Sequence, residues 1–443
     1  MPQSANGRGS AVAVATAYVN ARIVDPASGL DIKGALVTEG GVIRDFGPAL
    51  FRDSPPLDFD VVDCAGQILA PGLVDMRVQL REPGEEHKET IATAADAASA
   101  GGVTAMVCLP NTEPCIDDVA GVEFIARRAR EVRGTKVFCY AAATKGIEGR
   151  ELAEIGLLAE MGAVGFTDGV KALGEALVMR RVLSYSRAFD ALVLQHPEEP
   201  TLAKGGAMNE GEASMRLGLP GIPALAEVMM IERDLRLMEL TGARLHIMHV
   251  STAAGIEAIR RAKAGGLGVT CDTAPPYFTL TENDIGEYRT FFKVSPPLRT
   301  ERDRAAVIAG LADGTIDAIA SDHAPQDQET KRVPFAQAEF GVVGLETLLP
   351  LSLALYHKGQ LSLMEVLKKL TAAPAAILRL PLGRIAKGAA ADLVLFDPDR
   401  PWIVDAKRFR SKSKNSPFDE MPVQGRVVRT VVAGRTLFEA EAA

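Results

Sequence analysis

The chain is poor in aromatics and histidine, with one tryptophan, six tyrosines and six histidines in 443 residues. No uninterrupted apolar run approaches the ~18 residues a membrane-spanning helix needs, so no membrane partner is expected. Basic charge is also short: 49 Lys and Arg face 57 Asp and Glu, a net charge of −8. That balance excludes the electrostatic footprint of a nucleic-acid binder. The five cysteines (Cys64, Cys108, Cys115, Cys139, Cys271) are odd in number and lack any CxxC spacing. A zinc ribbon and a disulfide framework are therefore not expected, and buried free thiols in a reducing cytoplasm are. The start, "MPQSANGRGS", lacks the basic segment and apolar run of a secretory signal and reads as a frayed polar leader. A cytoplasmic location follows as the expectation.

What is present is a hydrophobic content of 47%, enough for a large core. Short apolar runs at 73–80, 103–110, 135–142, 164–169, 191–197, 244–250, 268–274 and 316–323 alternate with helix-like stretches. Several are continuous in Val, Ile, Leu and Ala, as strands buried on both faces should be. One intervening stretch, "HKETIATAADAASAGG", ends on a plausible glycine cap at Gly101-Gly102. Eight strand–helix units over ~250 residues predict an α/β fold, a (β/α)8 TIM-like barrel, spanning 71–375. The flanks, 1–70 and 376–443, are turn-rich and strand-like. They are expected to pair into one small β-sandwich built from both termini.

A parallel barrel does its chemistry at the C-terminal ends of its strands. The polar residues that end the apolar runs are Asp75, Arg77, Gln79, Asn111, Asp168, His196, His249 and Asp322–His323. Taken singly, each has an ordinary structural explanation: a loop-start histidine, or an aspartate capping a turn. Taken together, two Asp and two His at four strand ends resemble a metal site of N and O ligands.

The motifs "LREPG", "GGVTAMVCLPNTEP", "AAATKGIEGRELAE", "VGFTDG", "LHIMHVSTAAG", "SPPLR", "IASDHAP" and "GVVGLETLLP" resemble, in order and over nearly the whole chain, the class I dihydroorotases of the amidohydrolase superfamily. The resemblance implies a barrel with a terminal β-sandwich, and interconversion of carbamoyl-aspartate and dihydroorotate in pyrimidine synthesis. By position it makes Asp168, His196 and His249 metal ligands and Asp322 a metal ligand and proton shuttle. Arg81 and Asn111 become the clamp on a substrate carboxylate, a use that suits a guanidinium fork.

The departures from the family pattern fall at the barrel mouth. Arg77 and Gln79 replace the usual His-x-His pair, "FTDG" is one acid short, and Ser295 and Gln326 stand where Asn and His are common. A guanidinium stays protonated and has no lone pair for a metal. The expectation is that Arg77 sits between Asp168 and Asp322 in place of the outer cation. Two readings follow. In one the chain resembles the non-catalytic pseudo-dihydroorotase homologues, binds no metal, and supports aspartate carbamoyltransferase. In the other it is an active dihydroorotase or related cyclic amidohydrolase with at most one zinc, on Asp168, His196 and His249. A sensor that uses the old carboxylate clamp for a dihydroorotate-like ligand is a third. A homo-oligomer is expected in each case, by resemblance.

Overall fold

The computed structural model describes residues 15–51 and 54–441; the polar leader lies outside them. Seven parallel strands form most of a barrel: Leu73–Val78, Val103–Cys108, Lys136–Cys139, Leu192–Gln195, Arg244–Ile247, Thr270–Thr273 and Ala318–Ile319. The fourth stave is reduced to Phe166, which bridges Ala141 on one side and Val193 on the other. A parallel bridge between Val78 and His323 closes the ring. These are the eight runs expected from the sequence, each shorter by a few residues, because the polar ends leave the ladder to form the mouth.

The first helix shows how local signals set an element. Ile91–Ala100 starts at Thr90, whose side chain accepts the Thr93 amide at 3.1 Å, and stops at Gly101, whose amide donates to the Ala97 carbonyl at 3.0 Å. A side chain at Gly101 has no room, since its Cβ would stand 2.0 Å from the Leu345 carbonyl oxygen.

Both flanks enter one eight-stranded sheet. Its order runs Arg435–Glu439, Pro422–Val432, Leu393–Ile403, Ile68–Pro71, Thr16–Asp25, Leu30–Glu39 and Val42–Gly47, with Asp60–Asp63 beside Thr16–Asp25. Alternation splits the strand that begins at Leu393 between two cores. Leu393 and Leu395 join Tyr18, Ile23, Leu36 and Leu69 inside the folded sheet, whereas Val394 and Phe396 join Ile68, Ala70 and the barrel helices. The terminal sheet is thus a sandwich-like layer with its outer face sealed against the barrel. All five cysteines are free, and four of them are buried.

Candidate functional site

The polar strand ends converge on a cavity of about 270 Å³, lined among others by Arg77, Gln79, Arg81, Asn111, His196 and Asp322. Ser295 and Gln326 line it too, so four of the departures, Arg77, Gln79, Ser295 and Gln326, face one space, whereas Thr167 and Asp168 of "FTDG" are not in its wall.

Arg77 leaves the first strand pointing inward and forms a buried ion pair with Asp322, the two side chains being 3% and 9% exposed. Burial opposes the charge of Arg77, while Tyr277, Asp272 and Asp75 support it. The other Asp322 oxygen lies 3.4 Å from the Tyr277 hydroxyl, which also donates to the nearer Pro296 carbonyl at 3.1 Å. The expected placement of Arg77 between two aspartates needs correction. Asp168 is turned away, accepting the Thr144 amide at 2.9 Å and the Thr144 hydroxyl at 2.5 Å. Two local hydrogen bonds satisfy its carboxylate without a charge partner, although burial raises its pKa.

Gln79 and Asn111 answer each other: the Asn111 amide donates to the Gln79 side-chain oxygen at 3.1 Å. That amide oxygen, at best a weak metal ligand, is therefore already engaged. Arg81 donates through Nε to the Pro325 carbonyl at 3.1 Å and pairs with Glu85 at 2.7 Å. The carboxylate clamp expected from Arg81 and Asn111 lines the cavity, but each member holds a protein partner.

His196 and His249 meet directly, Nδ1 of the first lying 3.1 Å from Nε2 of the second. Burial first, then the charge of Arg77, holds His249 well below the ordinary histidine pKa, which favours its neutral ring. Among the described residues the outer nitrogens, His196 Nε2 and His249 Nδ1, have no hydrogen-bond partner, nor has Glu198 Oε2. Glu198 lies 3.6 Å from His196 Nε2. Three residues here, Arg81, His249 and Asp322, hold left-handed backbone at φ 61°, 36° and 52°. Such strain costs on the order of 1 kcal/mol or more each and clusters at functional sites.

The metal centre expected from the resemblance can be tested on these atoms. Two imidazole nitrogens 3.1 Å apart suit neighbouring ligands of a tetrahedral zinc, whose N···N separation is about 3.3 Å. The rest of the set does not fit. Asp168 faces Thr144, Asp322 is claimed by Arg77, and the first strand offers a cation and a committed amide. Among the described residues no group of three or more His, Cys, Asp or Glu is arranged to hold a metal ion. The structure thus brings His196 and His249 together and leaves Asp168 apart from them.

Sequence reasoning missed Thr144, Glu198 and Tyr277. Thr144 lies in "AAATKG" and Glu198 two residues after His196, so both sat beside residues already singled out.

Comparison with known proteins decides the lineage. A dihydro-orotase-like family profile matches residues 66–254, and an amidohydrolase family profile matches 205–437. The dihydroorotase of Anaplasma phagocytophilum (strain HZ) is 50% identical over 96% of this chain and 95% of its own. This chain belongs to the dihydroorotase family. A second family member, the dihydroorotase of Ehrlichia chaffeensis (strain ATCC CRL-10679 / Arkansas), is 48% identical over 98% of this chain and 97% of its own. Among solved structures the dihydroorotase-family fold matches L-hydantoinase (dihydropyrimidinase) from Arthrobacter aurescens, with a TM-score of 0.85, 25% identity and 96% coverage of both chains. Dihydropyrimidinase from Brevibacillus agri NCHU1002 shares the fold at a TM-score of 0.83 and 21% identity, over 96% of this chain and 95% of its own. Among the described residues no helix is long and apolar enough to cross a membrane.

Proposed function

We propose that this protein is a member of the dihydroorotase family, serving pyrimidine biosynthesis, that has lost the metal-dependent hydrolytic step. It acts instead as a structural partner of aspartate carbamoyltransferase. The observation that carries the reading is the buried Arg77–Asp322 pair. Hydrolysis of a cyclic amide at neutral pH needs a water activated by a metal and a polarised carbonyl. A guanidinium can polarise an oxygen but cannot bind or ionise the water, and here it also consumes the carboxylate that would move the proton. The partner assignment rests on the resemblance to pseudo-dihydroorotases, and a homo-oligomer on the same ground.

The alternative is a working enzyme with one zinc. It is favoured by the His196–His249 spacing and by close relatives that bear the name dihydroorotase. One preparation separates the two: metal content by elemental analysis, and dihydroorotate hydrolysis on the same sample. The proposal expects far less than one zinc per chain, no turnover, and co-purification with aspartate carbamoyltransferase. About one zinc per chain with turnover overturns it.

A further inference from the structure

Away from the barrel mouth, a concave site opens between the helix Leu348–His357 and the strands Leu393–Ile403, Pro422–Val432 and Arg435–Glu439. It has two lobes, of about 450 and 650 Å³, which share Pro350, Trp402 and Ile403. The smaller lobe is lined by Arg408, Arg410 and Arg426. The larger is mostly apolar, with Phe278, Leu351 and Met421 in its wall.

Among the described residues none of the three arginines' guanidinium groups makes an ion pair or hydrogen bond, whereas elsewhere on the surface Arg22, Arg260 and Arg304 all pair with acids. Two stack on rings instead: Arg410 stands 5.0 Å from the Phe438 centroid and Arg426 6.0 Å from that of Trp402. Burial, then the like charges of Arg400 and Arg408, hold Arg426 below the usual arginine pKa; Glu441 pulls the other way, and less. The remaining acids of the lobe are committed. Glu439 pairs with Arg429, Asp405 accepts the Lys407 amide at 3.1 Å, and Glu346 accepts the Arg410 and Ser411 amides at 2.7 and 3.2 Å. Three guanidinium groups without an ion pair among the described residues, gathered at one concave site, present a local positive field and forked donors to a multiply charged anion.

We infer that this two-lobed site binds a nucleoside triphosphate, its polyphosphate among Arg408, Arg410 and Arg426 and its flat base in the apolar lobe beside Trp402. Guanidinium forks match phosphate oxygens bidentately, and a base against an indole adds stacking that tolerates base identity. The site shares no lining residue with the barrel-mouth cavity, so the inference stands whether or not the protein hydrolyses a cyclic amide.

Trp402 is the only tryptophan in the chain, so its fluorescence reports this site alone. Titration of the full-length protein with ATP or UTP is expected to give a saturable change at micromolar to submillimolar concentration. Calorimetry should return the same affinity, and the double variant R408A/R426A should weaken it by about tenfold or more. R410A, at an exposed position, is a second probe should the double variant fold poorly. Inorganic tripolyphosphate is expected to bind more weakly than either nucleotide, and uridine not at all. Tripolyphosphate as tight as ATP would overturn the base subsite. No saturable signal up to millimolar nucleotide, or binding unchanged in both arginine variants, would overturn the site.

Discussion

At the scale of single residues, an arginine at position 77, where the family resemblance leads one to expect a histidine, is a change of charge carrier. A metal ligand lends a lone pair to a cation brought from solution; a guanidinium is itself the cation, fixed to the first strand. Buried ion pairs are poor net stabilisers, yet breaking one by removing a single partner leaves an uncompensated charge and costs ~3–5 kcal/mol. Arg77→Met and Asp322→Asn are each expected to lower the urea midpoint, Arg77→Met by about that much. Combining them should cost less than the sum by at least ~1 kcal/mol, because the double variant has no stranded charge. Strict additivity in that cycle would sink the pairing. The converse substitution is Arg77→His with Gln79→His, which returns two imidazoles to the mouth and frees Asp322. Elemental analysis should then find zinc rising from the wild-type level to about one or more per chain. An unchanged metal content would mean that the mouth has drifted beyond those two positions.

At the scale of elements, the segment 324–342 forms one wall of the mouth, through Gln326 and Phe340 among others. Two buried lysines hold it. Lys331 donates to the Glu339 and Lys293 carbonyls at 2.7 and 3.3 Å, and Lys293 donates to those of Phe335 and Ala336 at 3.0 Å each. Neither makes an ion pair among the described residues, and burial, then the charge of Lys293, depresses the Lys331 pKa to about 7. In the unfolded chain the same group titrates near ~10.4. Between about pH 7 and 10 the unfolded state therefore binds more protons, so this lysine makes stability rise with pH across that window. Below about pH 7 its penalty is fully present. Between pH 7 and 8, below the range where the thiols titrate in the unfolded chain, the urea midpoint should rise more steeply with pH in the wild type than in Lys331→Met; an equal slope in both would remove Lys331 as a source.

Much at this scale was legible in the sequence, because it is local. Continuous apolar runs announced buried parallel strands, and the polar residue ending each run announced the mouth. Thr90 and Gly101 bracket their helix as capping chemistry dictates. What was illegible depends on side chains choosing among distant partners. Nothing in "FTDG" says that Asp168 turns to Thr144, 24 residues earlier, nor does "LREPG" say that Arg81 donates to the Pro325 carbonyl, 244 residues later. The fourth stave was legible as an apolar run, yet its ladder shrinks to the bridges of Phe166.

At the scale of the whole molecule, the terminal sheet and the barrel are not independent bodies. Ile68–Pro71 and Leu393–Ile403 are neighbours in that sheet although more than 300 residues separate them, so neither flank completes its ladder alone. The same two strands send Ile68, Ala70, Val394 and Phe396 into the core that contains the barrel helices. Glu89 adds a polar tie. It is wholly buried beside the first strand's loop, and it accepts the Ser411 hydroxyl and, at 3.1 Å, the Lys412 amide. Stripping either flank would expose this apolar face, and losing the C-terminal flank would also take the Ser411 and Lys412 donors from Glu89, losses larger than a marginally stable protein can bear. Unfolding is therefore expected to be one cooperative transition. Trp402 sits in the terminal sheet, whereas far-UV circular dichroism is dominated by the barrel helices, so the two probes watch different parts of the fold. Their urea curves should superimpose, and Glu89→Ala should shift both together by ~2–4 kcal/mol. A tryptophan transition that precedes the loss of helix would show the sheet to be a separable layer.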